Sequence, residues 1–188
     1  LFGHKNLGLD AAYTQTMFWQ VYTSSPYFRE TDYMPEMFVA WHPKVNWFIH
    51  GGIVHQSNGR GGDYERSWNR VFLDFIFSRD NWSFSIKPWA LIFQRQTSDI
   101  HNPSIQSYMG NGRFLVAYKF GDNEISVMSR NNLQSGFKRG AVEMNISHHI
   151  YQHFNLFMQL FSGYGQSLID YRHRTNAIGL GIALNSWL

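Results

Sequence analysis

The 188-residue chain carries a formal charge of only +3, with 15% charged and 18% aromatic residues and no cysteine. A soluble domain usually has roughly 25% charged residues, and mean hydropathy here is still −0.34. No apolar run approaches the roughly 20 residues of a membrane helix, no disulfide framework is possible, and no basic cluster stands ready to track a nucleic-acid backbone.

Two all-β classes remain, a soluble sandwich and a transmembrane barrel, and alternation along the chain separates them. Leu9 to Val21 places Ala11, Tyr13, Gln15, Met17, Trp19 and Val21 on one face, with Gln15 a lone amide among apolar side chains. In hydrocarbon such an amide is costly unless bonded, so it reads as a tolerated polar residue or as a hydrogen bond between subunits. Thr23 to Pro35 reads as a polar connection, and Glu36 to Trp41 as a short strand ending at His42-Pro43. Val45–His55 and Ser67–Ser78 are strands around a Gly-rich loop, with Asp80-Asn81 a tight turn after them. Trp82–Phe93 follows, then a polar loop from Gln94 to Ser107. Strands are expected at Arg113–Phe120, Glu124–Asn131, Lys138–Ser147 and Phe154–Phe161, then a loop over Gly163–Arg174 and a last strand at Asn176–Leu184. Of the nine histidines, His148, His149 and His153 cluster in sequence without metal spacing on one strand face.

Arg70, Asp74, Lys87, Lys119, Glu124, Arg130 and Glu143 all fall on the less apolar strand face, with both signs present. A barrel with an apolar outside and a charge-paired interior explains that pattern. The long apolar faces, and tryptophans near strand ends (Trp19, Trp47, Trp68, Trp82, Trp89), favour the membrane barrel over the sandwich.

The residues that carry chemistry sit in His55-Gln56-Ser57-Asn58-Gly59-Arg60 and Ser67-Trp68-Asn69-Arg70. By parity His55 and Ser57 share a face with Trp47, Ile49 and Ile53, and Asn69 shares one with Val71, Leu73 and Phe75. Pairing the strands about Gly62 puts His55 opposite Asn69 and Ser57 opposite Ser67, with directly opposed Cβ atoms roughly 4.5–5.5 Å apart. An imidazole between a hydroxyl and an amide is the order nucleophilic catalysis needs: base, nucleophile and a group that fixes the ring tautomer. On a lipid-facing surface a neutral amide avoids the desolvation cost of a carboxylate. Gly59 allows a backbone turn that aims an N–H at a developing oxyanion.

These motifs resemble the signature of the outer-membrane phospholipase A family of Gram-negative bacteria. The likeness extends through Tyr13-Thr14-Gln15, Trp19-Gln20, Ser24-Ser25-Pro26, Phe28-Arg29-Glu30-Thr31, Lys87-Pro88-Trp89, Ser162-Gly163-Tyr164-Gly165 and Ser167-Leu168-Ile169-Asp170-Tyr171. The resemblance implies a twelve-stranded transmembrane antiparallel β-barrel in the bacterial outer membrane. It also implies a calcium-dependent serine hydrolase of phospholipids and lysophospholipids, active as a homodimer on the outer-leaflet side. It assigns Ser57 as nucleophile, His55 as base, Asn69 as orienting group and the Gly59 amide to the oxyanion hole. Calcium would be held by the Arg60 carbonyl, the side chain of Glu65 and the Ser24 carbonyl of a second subunit. Gln15 matches an interfacial glutamine and Trp19 an aromatic lining the substrate site. At position 65 the family pattern has Ser, whereas the Glu65 carboxylate is a good hard ligand for calcium. About ten strands are visible, so residues 1–188 are expected to form one barrel domain lacking its N-terminal strands. The competing function is a passive, porin-like channel, which needs a wide wet lumen.

Overall fold

The computed structural model describes residues 6–92, 102–131 and 135–184. Ten strands follow one another: β1 Leu7–Gln20, β2 Tyr27–Lys44, β3 Trp47–Ser57, β4 Ser67–Arg79, β5 Trp82–Leu91, β6 Gly112–Phe120, β7 Asn123–Asn131, β8 Gly140–Tyr151, β9 Phe154–Tyr164 and β10 Arg174–Leu184. A 3-10 turn at Gly62–Tyr64 and a short helix, α1, at Ile105–Met109 occupy two of the loops. Every strand pairs antiparallel with its sequence neighbour, giving the order β1 to β10 in one sheet. The sheet is not closed: among the described residues β1 and β10 are its two edges.

The alternation separates two faces. On β4, Trp68, Arg70, Phe72 and Asp74 are buried on the inner face, whereas Val71, Leu73 and Phe75 are exposed on the outer one. On β10 the outward Ile178 and Leu180 are 75% and 81% exposed. A continuous apolar exterior of this extent needs an apolar solvent, and with a polar interior it is the surface of a membrane barrel. Some of the interior charges are paired, while Arg70 bonds Gln56 and Arg130 bonds the Tyr164 and Gly165 carbonyls. Lys87 Nζ lies 3.2 Å from Glu36 Oε2 and 3.8 Å from the centre of the Phe72 ring. Ser85 donates to Asp74 Oδ1 at 2.6 Å, and Arg113 approaches Asp74 Oδ2 at 3.5 Å.

Three expectations from the sequence need correction. The segment Thr23–Pro35 is mostly strand: β2 begins at Tyr27 and continues past His42-Pro43 to Lys44. Polar residues and two prolines mask it, because Glu30 and Asp32 face a polar interior and Pro35 sits where the ladder to β3 lapses. Trp68 and Trp89 belong to no outer aromatic belt. Trp68 is 1% exposed, and both rings lie against the interior guanidinium of Arg70, at 3.8 and 5.5 Å. Finally, α1 begins inside what reads as a polar loop and runs two residues beyond it, to Met109; Phe93 and residues 94–101 fall outside the described residues.

The two ends of the sheet differ. Short turns at 45–46, 80–81, 121–122 and 152–153 join strands at one end, and longer connections at 58–66, 92–111 and 165–173 join them at the other. Long loops mark the extracellular end of an outer-membrane barrel. There the interior is filled by Trp68, Ile105, Met109, Leu168 and Tyr171, all no more than 3% exposed, with Tyr108, Trp89 and Leu91 packed against them.

Candidate active site on the outer face of β3 and β4

β3 and β4 pair in a register that places His55 opposite Asn69 and Ser57 opposite Ser67. His55 Nδ1 and Asn69 Oδ1 are 2.8 Å apart. An amide oxygen only accepts, so Nδ1 carries the proton and donates it, and the lone pair of Nε2 is left for an acid–base role. Ser57 follows His55 on the same outward face, and among the described residues its hydroxyl makes no hydrogen bond to the ring. The structure therefore brings imidazole and amide together and sets the serine beside them without closing the last contact. Catalytic bonds of this kind often tighten only with substrate bound.

The row continues into the neighbouring strands. Tyr33 pairs with Ser57 and Gln15 pairs with Tyr33, so Gln15 stands two strand spacings, roughly 10 Å, from the serine. Gln15 is exposed on the outer face and its Oε1 accepts a hydrogen bond from Tyr13 Oη at 2.9 Å. Trp19, 58% exposed, stacks on Phe28 with ring centroids 5.5 Å apart. All of these groups face outward, where lipid would be.

Gly59 has φ of +63°, in the left-handed region that favours glycine. A Cβ there would lie 2.9 Å from Cε2 of Tyr33, so the ring and the glycine backbone are in contact. Among the described residues the Gly59 N–H makes no hydrogen bond, which leaves it able to receive an anion.

The loop from 58 to 66 is bonded mostly to itself. The carbonyl of Gly62 accepts from Glu65 N, those of Asp63 and Glu65 accept from Arg66 Nη1, and that of Tyr64 accepts from Asn58 Nδ2. The carbonyls of Arg60 and Gly61 accept no hydrogen bond among the described residues. The Arg60 side chain is drawn toward β2, where it donates to the Arg29 carbonyl and lies 3.9 Å from Glu30 Oε2. The free Arg60 carbonyl and the Glu65 carboxylate are hard oxygens of the kind calcium takes. Ser24, in the β1–β2 turn, is exposed and has no hydrogen bond to this loop among the described residues. No group of three or more His, Cys, Asp or Glu converges among the described residues. His148 and His149 instead bond Asn123 and Asn155 at 2.9 and 3.3 Å.

Several supporting residues carried no chemical signature in the sequence. Gln56 Oε1, beneath the site, accepts from Trp68 Nε1 and Arg70 Nη2, both at 3.0 Å. Asn102, 1% exposed, pairs with both backbone groups of Ser67 and extends the β4 ladder. Glu30 and Asp32 accept the backbone N–H groups of Ile169 and Leu168, which ties the β9–β10 loop to β2. Asn102, Glu30 and Asp32 are ordinary polar residues in segments that read as loops, and Gln56 is a polar residue on the inner face of a strand, so no apolar period could have singled them out.

The phospholipase A1 family model matches residues 1–184. The phospholipase A1 of Escherichia coli strain K12 is 36% identical over 188 residues, spanning 96% of this chain and 63% of its own length. A protein described as a putative phospholipase A1 in Neisseria meningitidis serogroup B is also 36% identical, over 92% of this chain and 48% of its own. Among solved structures, the outer membrane phospholipase A of Escherichia coli superposes with a TM-score of 0.89 at 34% identity, covering 97% of this chain and 77% of that one. The Salmonella typhi outer membrane phospholipase, a dimer with bound calcium, gives 0.87 at 34% identity, with 96% and 71% coverage. The chain thus spans less than two thirds of the length of the curated relatives it matches.

Proposed function

This chain belongs to the phospholipase A1 family of the outer membrane, and from that premise we propose that it hydrolyses acyl esters of phospholipids and lysophospholipids with Ser57, His55 and Asn69. The observation that carries the reading is the 2.8 Å bond from His55 to Asn69, on the lipid-facing surface and beside Ser57. In a soluble enzyme an outward catalytic group would need a cleft. Here the substrate is the surrounding medium.

His55 Nε2 takes the Ser57 hydroxyl proton as Oγ bonds to the ester carbonyl carbon. The carbonyl oxygen becomes an oxyanion, which the free N–H of Gly59 receives. Collapse breaks the bond to the glycerol oxygen, and that oxygen leaves with the proton held on His55. Water then attacks the acyl-serine, giving one proton to His55 and its oxygen to the fatty acid, and Ser57 recovers its proton. Asn69 holds Nδ1–H throughout and keeps the ring in the tautomer that both steps use.

The Arg60 carbonyl, the Glu65 carboxylate and Ser24 from a second copy of the chain would hold calcium, which when bound supplies positive charge to the oxyanion. A neutral Asn69 stabilises the imidazolium less than a carboxylate would, so charge from such a source is well placed. The same reading makes the active form a homodimer, with Gln15 at the interface and Trp19 lining the acyl-chain site. The side chains that fill the long-loop end of the sheet interior favour this enzyme over a passive channel. The test is phospholipid hydrolysis in detergent, with and without calcium, for wild type and Ser57→Ala. Fatty-acid release by wild type with calcium, abolished by Ser57→Ala or a chelator, is the expected result. Undiminished release from Ser57→Ala would sink the assignment.

A further inference from the structure

Between the proposed nucleophile and the proposed oxyanion glycine stands Asn58, and its placement differs from that of both neighbours. It is 4% exposed, while residues 59–64 of the same loop are exposed. Its side chain turns inward and both polar atoms of the amide are hydrogen-bonded. Oδ1 accepts the backbone N–H of Arg60 at 3.3 Å and that of Arg66 at 3.0 Å, and Nδ2 donates to the Tyr64 carbonyl at 2.9 Å. The backbone N–H of Asn58 also donates to the Arg66 carbonyl at 3.0 Å. One buried amide therefore ties together both ends of a loop that has few other anchors.

We propose that Asn58 is a positioning residue that sets the geometry of the oxyanion amide and of the loop carbonyls through these three hydrogen bonds. By accepting the N–H of Arg60, it fixes the peptide planes on either side of Gly59. Among the described residues the Gly59 N–H and the Arg60 carbonyl are left unbonded. By taking the Tyr64 carbonyl, it turns that oxygen inward and away from the donor set, immediately before Glu65. A second anchor acts from the opposite side, where the Arg60 guanidinium is held by the Arg29 carbonyl and the buried carboxylate of Glu30. Without the amide, the loop would still be covalently short, but its peptide planes could rotate. Such rotation removes an aligned donor from the oxyanion without altering the serine, the histidine or the acyl-chain surface. The inference rests on the proposed hydrolase site and deepens it.

Asn58→Ala deletes all three bonds, whereas Asn58→Asp keeps the acceptor for the Arg60 and Arg66 amides and loses only the donor to Tyr64. Two measurements on the detergent-solubilised full chain read the difference. Amide hydrogen exchange at Arg60 and Arg66 should rise about tenfold or more in Asn58→Ala and less in Asn58→Asp. In phospholipid hydrolysis with calcium, kcat should fall about 10- to 100-fold in Asn58→Ala with KM within about twofold, and calcium half-saturation should rise about tenfold. A purely structural role would not split kcat from KM or order the two variants by their acceptor. Wild-type exchange or wild-type kcat in Asn58→Ala overturns the proposal. Equal losses in the two variants also overturn it, as does loss of the heat-modifiable barrel, since a role confined to the loop leaves the strands intact. Full activity of Ser57→Ala would defeat the hydrolase reading instead, and the exchange rates at Arg60 and Arg66 would still decide whether Asn58 clamps the loop.

Discussion

Replacing Asn69 with alanine removes the one side chain that, among the described residues, hydrogen-bonds His55, through the oxygen 2.8 Å from Nδ1. With the imidazole in the form that acts as base and a neutral amide as its partner, the bond contributes roughly 0.5–1.5 kcal/mol net. At about 1.4 kcal/mol per factor of ten, that corresponds to a loss of up to about tenfold in kcat. The freed ring also samples the tautomer that carries its proton on Nε2, which is useless as a base, and this extends the expected loss toward about a hundredfold. A triad held by a carboxylate loses roughly 10⁴-fold when that group is made neutral, so the expected sensitivity here is much weaker. The assay is release of fatty acid from a phospholipid in detergent micelles with saturating calcium. Wild type and Asn69→Ala are compared with His55→Ala, which should fall to background. A loss in Asn69→Ala as deep as that of His55→Ala would refute a modest orienting role. Unchanged kcat would refute any orienting role.

Gly59→Ala should lower kcat about 10- to 100-fold while leaving the barrel folded, because φ is +63° and the new Cβ would sit 2.9 Å from the Tyr33 ring; wild-type turnover would remove Gly59 from the oxyanion site. Gln15→Leu keeps the bulk and deletes the amide on the outer face. It should weaken calcium-dependent dimerisation by roughly 0.6–1.7 kcal/mol, about three- to twentyfold in the association constant. Sedimentation equilibrium in density-matched detergent measures it, and an unchanged dimer constant would place Gln15 outside the interface.

The alternation made the strand faces legible, and with them the outward placement of His55, Ser57 and Asn69, because a period of two survives any detail of packing. The register of β3 and β4 followed from one glycine-rich loop between two clear strands, and the pairing of His55 with Asn69 came with it. The β2 segment around Glu30 and Asp32 was not legible. A strand whose inner face is charged and whose outer face includes a proline offers no apolar period to detect. Trp68 and Trp89 misled for the opposite reason: as aromatics near strand ends they match an interfacial belt, and only their parity, one residue off Asn69 and Ala90, places them inside. The loop contacts of Asn58 and Asn102 depend on backbone turns that leave no periodic mark.

The same parity explains why the polar trio can face lipid at all. Slipping β4 by one residue would turn Asn69 inward and carry Arg70 and Asp74 to the membrane side. Arginine on the lipid face of a barrel costs roughly 2–4 kcal/mol at the midplane. Arg70 would also lose its bond to Gln56 and its contact with Trp68, and Asp74 its bond to Ser85. Ser57 and Asn69 carry no formal charge, and with His55 they sit toward the long-loop end of the strands, where the penalty for polar groups is smaller. The inner residues therefore hold the register, and the outer ones follow from it. Two adjacent positions on each strand divide the work: Gln56, Trp68 and Arg70 make the slipped pairing unfavourable, and the residues between them are presented to the lipid as a consequence.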